Sequence, residues 1–186
     1  MLFDKFKELG VELSGKPAKS PEQQIAAVES LIGRPLPESY RQMLLTFKTA
    51  FYFTENVGFT PIEPSPWAGE DGTLDIVEFY GPKRGDSGLA KAVKTFREQM
   101  PEAVIPIADS SGGNQICLGI EGEVQGKVFF WDHEGESDDS QSFDDLTLVA
   151  ESFEDFIERL EVLPEDELGD DGDYDDDDIW IDESLL

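Results

Sequence analysis

Cysteine and histidine are almost missing from this chain of 186 residues, which contains one of each, Cys117 and His133. A single cysteine cannot form an intramolecular disulfide, and it excludes a zinc site built from several thiolates. Because such a composition is typical of a reducing compartment, we predict a cytoplasmic location. No apolar run approaches the roughly 20 residues of a membrane-spanning helix, and the N-terminus lacks the apolar core of a signal peptide.

Basic residues are scarce in the second half of the chain. The whole sequence has 42 acidic and 14 basic residues, for a formal net charge of −28. Residues 1–100 hold 14 acids and 12 bases, whereas residues 101–186 hold the other 28 acids and only Lys127 and Arg159. Such a field repels nucleic acid and anionic membranes and attracts basic partners. A uniform excess of acids can serve solubility alone, but this asymmetry favours a basic protein partner.

Apolar residues recur at helical spacing in four segments. The first helix is predicted to begin after Ser20, which we expect to cap it through its side chain, and to end at Gly33. A second helix is expected from about Pro37, a third within residues 85–103, and a fourth after the capping residue Ser152. The outward face of the third helix carries the main basic patch of the chain, formed by Lys91, Lys94 and Arg97.

Short runs rich in β-branched and aromatic residues, each bounded by turn residues, predict strands. These runs lie at residues 50–53, 74–81, 104–109, 114–120, 127–132 and 146–149. The stretch PIEPSPWAGEDG, with three prolines and two glycines, predicts a long surface loop. Its Trp67 is either an exposed anchor for a partner or a side chain folded back on the domain.

Both rare residues lie in the stretch GGNQICLGIEGEVQGKVFFWDHEGE, residues 112–136. His133, with Asp132 and Glu134 beside it, could be a catalytic or metal-binding group. However, a metal site needs three or four converging ligands, and neighbouring side chains at a strand end point to opposite faces. We therefore interpret the stretch as a hairpin with a structural His133, and Cys117 as a small core residue. No catalytic residue, metal or cofactor is predicted, and the protein is not expected to be an enzyme.

Several of these segments together resemble the SUKH superfamily, which includes the yeast cell-wall-assembly regulator and many bacterial immunity proteins found beside polymorphic toxins. The resemblance spans about residues 20–160. It depends on LPESYRQML, on IVEFYG, and above all on VIPIADSSGGNQICLGI followed by GKVFFWDHE.

The resemblance implies one α+β domain, with helices packed on a mainly antiparallel sheet and no enzymatic activity. It also implies an immunity-type function, in which the protein binds and neutralises a cognate toxin, often a basic nuclease domain. The alternative is a non-catalytic regulatory or scaffold protein of the cell-wall-assembly-regulator type.

Three regions follow from these patterns: an N-terminal extension at 1–19, the SUKH-like domain at 20–164 and an acidic tail at 165–186. The tail has 12 acids and no base, so we predict that it is disordered. Its apolar residues Ile179, Trp180 and Ile181 either form a segment that docks on a partner or pack on this protein's own surface.

The residues predicted to bind the basic partner come from the hairpin turn, from the end of its second strand and from the tail. They are Glu121, Glu123, Asp132, Glu134, Glu136, Asp138, Asp139 and Trp180. Carboxylates at these places are suited to steer a basic protein and to occupy the cations with which a nuclease holds phosphates.

Overall fold

A computed structural model describes residues 3–135, 137 and 139–164 of the chain. The helices of this part are α1 (Asp4–Glu8), α2 (Pro21–Ile32), α3 (Glu38–Phe47), α4 (Leu89–Phe96) and α5 (Phe153–Arg159). The strands are β1 (Val11–Leu13), β2 (Phe51–Phe53), β3 (Val57–Phe59), β4 (Leu74–Asp75), β5 (Glu78–Phe79), β6 (Val104–Asp109), β7 (Gln115–Gly119), β8 (Val128–Trp131), β9 (Leu146–Ala150) and β10 (Glu161–Val162).

Seven of the strands form the main sheet, in the order β1-β2-β5-β6-β7-β8-β9, and its neighbouring strands are antiparallel. A smaller antiparallel sheet has the order β10-β3-β4. The α+β fold with helices packed on a mainly antiparallel sheet is therefore confirmed. The predicted acidic tail lies outside the described residues.

The two faces of the main sheet are both covered, but unequally. Along β7, Ile116 and Leu118 belong to the large core cluster that includes residues of all five described helices, whereas Cys117 belongs to a second, smaller cluster. Successive residues of a strand point to opposite faces, so the two clusters lie on the two sides of the sheet. The smaller one is formed by Met100, Val104, Cys117, Phe129 and Trp131.

The segment before residue 20 contributes directly to this core. Phe6 on α1 has no exposed surface, and its ring centroid lies 5.4 Å from that of Phe51 and 5.6 Å from that of Phe79. Next to it, β1 pairs with β2 and forms one edge of the main sheet. The N-terminal residues thus pack as part of the same body as the helices and strands that follow.

The predicted strand at 74–81 is wrong in one respect, because the structure divides it into β4 and β5. Leu74 and Asp75 pair with β3 in the small sheet, while Glu78 and Phe79 pair with β2 and β6 in the main sheet. Between them the chain crosses from one sheet to the other, and the Val77 amide donates to the Asp109 carbonyl at 2.8 Å. A single apolar run therefore serves two sheets.

The helix ends agree only partly with the predicted caps. Ser20 precedes α2, but its side chain makes no capping hydrogen bond, so the predicted side-chain cap does not form. The left-handed Gly33, with φ of 74°, does end the helix. At α5 the predicted cap is present: the Ser152 hydroxyl accepts from the Asp155 amide at 3.0 Å. The loop predicted at residues 61–72 is free of helix and strand, as expected.

Candidate functional site

The stretch that holds Cys117 and His133 is a hairpin formed by β7 and β8, with Cys117 opposite Phe129. The Cys117 side chain has no exposed surface and its Sγ lies 3.9 Å from the Met100 Sδ. Burial raises the pKa of the Cys117 thiol far above its usual range. Cys117 is thus a small apolar residue of the core, as predicted.

His133 is fixed by the turn that precedes β7. Its Nδ1 lies 2.9 Å from the Asn114 Oδ1, and its backbone amide donates to the same oxygen at 3.1 Å. The adjacent Gly113, with φ of +89°, brings the turn so close that an added Cβ would lie 3.4 Å from the imidazole. Over the described part of the chain, no three His, Cys, Asp or Glu side chains are placed to hold a metal ion.

The predicted partner-binding acids fall at two opposite ends of the hairpin. Glu121 and Glu123 lie in the turn between β7 and β8, whereas Asp132 and Glu134 follow the last residue of β8. The four residues of β8 span roughly 13 Å, so the two groups do not form one cluster. The structure therefore separates residues that the sequence treats as one surface.

The turn group is partly engaged within the protein. The Glu121 carboxylate forms an ion pair with Arg34, which follows α2. Glu123 lies on a short 3₁₀ turn, Gly122–Val124, with its side chain exposed.

The predicted residues of the loop before β9 are only partly described. Asp139 is exposed, and its Oδ1 accepts from the Gln141 amide at 2.9 Å, so its carboxylate stabilises a local turn. Glu136, Asp138 and Trp180 lie outside the described residues. Their part in a site stays a prediction.

An open groove of about 790 Å³ lies at the end of β8, and its walls are acidic. Asp132 and Glu134 form one part of the wall, and Asp144 and Asp145, just before β9, form another. The Asp132 amide donates to the Asp145 carbonyl at 3.0 Å, which holds the two segments together. We call this the acidic groove; it is lined by Ser65, Pro66, Trp67, Phe130, Asp132, Glu134, Gly135, Ser137, Asp144, Asp145 and Thr147.

Trp67 forms one wall of the acidic groove and stays 40% exposed. Trp67 also lines a second open groove of about 790 Å³, whose lining includes Glu70, Asp71 and Asp75. The Asp75 carboxylate is held by the hydroxyls of Ser110, at 2.8 Å, and of Ser111. Among the described lining residues of both grooves there is no lysine or arginine.

The sequence identified Trp67 as a candidate but did not identify all of the acidic residues near it. The sequence left Trp67 as either an exposed anchor or a side chain folded back on the domain; in the structure it is 40% exposed and lines two grooves. Asp144, Asp145 and Asp75 were missed as site residues. A signal for the first two was present, since they directly precede a predicted strand and β8–β9 pairing brings them beside the end of β8.

The basic patch formed by Lys91, Lys94 and Arg97 lies on α4 and at its C-terminal end, and its side chains are partly engaged within the protein. Lys91 forms an ion pair with Asp86. The Arg97 guanidinium donates to the Leu31 carbonyl at 3.3 Å, and Lys94 is exposed. None of the three residues lines the acidic groove.

These features define an α+β domain whose described surface offers an acidic, tryptophan-lined groove. No helix within the described ranges combines the length and apolar character needed to cross a membrane. The chain belongs to the SMI1/KNR4 family (SUKH-1), whose sequence model matches residues 19–159. It is also similar to the SPbeta prophage-derived uncharacterized protein YokK of Bacillus subtilis (strain 168), at 34% identity over 165 residues that cover 84% of this chain and 82% of that protein.

Proposed function

We propose that this protein is an immunity-type protein that binds a cognate bacterial toxin, with a basic nuclease domain as its target, and neutralises it through the acidic groove. The observation that carries the proposal is the groove itself, which is lined by four aspartate or glutamate residues and an exposed tryptophan, with no lysine or arginine among its described lining residues. Membership of the SUKH-1 family supports a protein as the partner. The prophage origin of the similar Bacillus subtilis protein is in keeping with a bacterial conflict system.

The acidic groove offers the partner two kinds of contact. Carboxylates such as Glu134, whose side chain is 66% exposed, can pair with lysine or arginine, and each rim pair contributes about 0.2–1 kcal/mol. Trp67 adds a flat aromatic surface on which an arginine guanidinium can stack for about 0.5–2 kcal/mol. Since a nuclease holds phosphates with the same cations, the groove would compete directly with the nucleic acid.

Long-range charge supports fast capture of a basic partner. The chain has a net charge of −28, and a field of this sign raises the association rate of a basic protein by about 10- to 1,000-fold at low salt. Fast capture suits a protein that must protect its own cell before the toxin acts.

We infer that neutralisation requires stoichiometric binding and no catalysis by this chain. Cys117 is buried, and burial raises its thiol pKa, so it is a poor nucleophile. His133 is engaged by Asn114 through its Nδ1.

Protection of growth tests the proposal. The basic C-terminal domain of a toxin encoded beside this gene is expressed in a sensitive host, with or without this protein. The wild-type chain should restore growth and form a stoichiometric complex with that domain. Trp67→Ala, and separately Glu134→Lys with Asp144→Lys, should lose most of the protection.

The matched control is Glu98→Lys with Glu158→Lys, which makes the same change of charge at two exposed residues outside the groove. This control should still protect. Absence of protection by the wild-type chain, together with several weak partners, would contradict an immunity function and favour a regulatory scaffold. Equal loss in the control and in the groove variant would contradict the groove as the binding surface.

A further inference from the structure

A small apolar pocket lies between the end of α2 and α4, away from the acidic groove. Its apolar lining includes Ile32, Val93, Met100 and Ile120, with the side chains of Arg34 and Arg97 beside them. The pocket has a volume of about 60 Å³, counted as the space that the centres of water molecules can occupy. A single water needs about 10–15 Å³ on this measure, so the pocket has room for one branched aliphatic side chain.

Two cations, Arg34 and Arg97, line this pocket, and their hydrogen-bonding groups are not all paired. Arg34 forms its ion pair with Glu121, but its Nε is buried and has no hydrogen-bond partner. Arg97 contacts a backbone carbonyl, and among the described residues no carboxylate forms an ion pair with Arg97 or Lys94. Glu102 is the one acid in the lining. An occupant that is apolar at its centre and acidic at its ends would complement this surface.

The chain itself contains a segment of that composition. The stretch DDDDIWIDE at residues 175–183 sets three large apolar residues between acids, and the whole of 165–186 has no base. We propose that this segment binds intramolecularly to the pocket between α2 and α4. Ile179 or Ile181 enters the pocket, and the neighbouring Asp178 and Asp182 approach Arg34 and Arg97.

The length of the chain permits this contact. Ile179 follows Pro164, the last residue that the structure describes, by 15 residues, and an extended chain of that length reaches roughly 50 Å. A domain of about 160 residues has a radius of gyration of about 15 Å. The reach of the segment is therefore about three times this radius, so it can extend to surfaces far from Pro164.

The contact would have a regulatory consequence that does not depend on the identity of any toxin. Burial of a single side chain is largely offset by the cost of ordering the segment, so the contact is reversible. While it is formed, it neutralises the basic face of α4 and keeps the acids of the tail away from other proteins. A basic partner that binds these acids would release the segment.

A spin label in the tail of the full chain tests the proposal. The change Glu183→Cys allows a nitroxide label to be attached there, since the native Cys117 is fully buried and does not compete. The paramagnetic label broadens the amide resonances of nearby residues in an NMR spectrum, with the reduced label as reference. We expect selective broadening at Val93, Arg97 and Met100, and little at Trp67.

Two sets of variants separate the contributions to the contact. Ile179→Ser with Ile181→Ser keeps every charge and should abolish the selective broadening. Arg97→Gln changes an exposed side chain, leaves the Arg34–Glu121 pair intact and should weaken the broadening severalfold. Lys16→Glu with Lys19→Glu, a charge reversal at exposed residues outside the pocket, should leave it unchanged.

Three results would overturn the proposal. They are uniform or absent broadening in the labelled chain, broadening centred on Trp67, and broadening at α4 that persists in the serine variant. None of these results bears on toxin binding, and failure to protect a host would leave this contact intact.

Discussion

Replacement of Phe6 by alanine tests whether the N-terminal segment is part of the core. The Phe6 ring has no exposed surface, and its centroid lies within 5.8 Å of those of Phe47, Phe51, Phe53 and Phe79. Loss of a buried phenylalanine costs about 3–5 kcal/mol, through lost burial and the cavity left behind. Against a typical total of about 5–15 kcal/mol, Phe6→Ala should remove a large share of the stability.

Urea unfolding, followed by circular dichroism, measures this loss. The control is Phe143→Ala, because Phe143 is 39% exposed and contacts Phe129 only at a centroid distance of 6.1 Å. It should cost less than about 1.5 kcal/mol. A loss of under about 1 kcal/mol for Phe6→Ala would refute the reasoning, since α1 would then be a dispensable extension.

Three further predictions concern stability. Ser152→Ala should destabilise the protein by about 1 kcal/mol in urea, because the hydroxyl caps α5; an unchanged midpoint would contradict that role. Burial raises the pKa of Asp109 above 3.8, although the hydrogen bond from Gln115 opposes this in part. The Asp109 carboxyl therefore contributes most to stability below its unfolded pKa, and this contribution is lost as pH rises through its folded pKa. The stability of wild type relative to Asp109→Asn should therefore fall as pH rises from about 3 to 7, and a rise would contradict it. Deletion of 165–186 should leave the melting temperature nearly unchanged, because little apolar surface there offsets about 1–2 kcal/mol of ordering cost per residue; a large drop would make the tail part of the core.

The longer elements were predictable because their signals are local. Strands β6 to β9 appear as apolar runs separated by turn residues, and α2 and α3 show a helical recurrence of apolar residues. The shortest strands carry no such signal. Strand β10 has two residues and forms only by pairing with β3, in which Glu161 lies opposite Gly58. These two residues are about 100 positions apart in the sequence, so no local pattern indicates the strand. The division of residues 74–81 between two sheets was also not predictable, because it depends on long-range pairing with β3 in one sheet and with β2 and β6 in the other.

The site was predictable in its charge but not in its arrangement. The excess of acids in the second half indicated an acidic surface, and Asp132 and Glu134 do line the acidic groove. That Asp144 joins them, and that Glu121 pairs with Arg34 instead, follows from strand pairing and helix packing. The local sequence placed Asp144 just before a predicted strand, but it does not specify which strands pair or which helix end packs beside the hairpin turn.

The central claim is that the acidic groove captures a basic toxin domain, and the association rate of the two proteins as a function of salt tests it most directly. We predict that added salt slows association well before it speeds dissociation. Glu134→Lys with Asp144→Lys should lower the association rate at low salt by about tenfold or more. Lys94→Glu with Arg97→Glu should have a smaller effect. An association rate indifferent to salt, or a larger effect from the α4 pair than from the groove pair, would contradict the account.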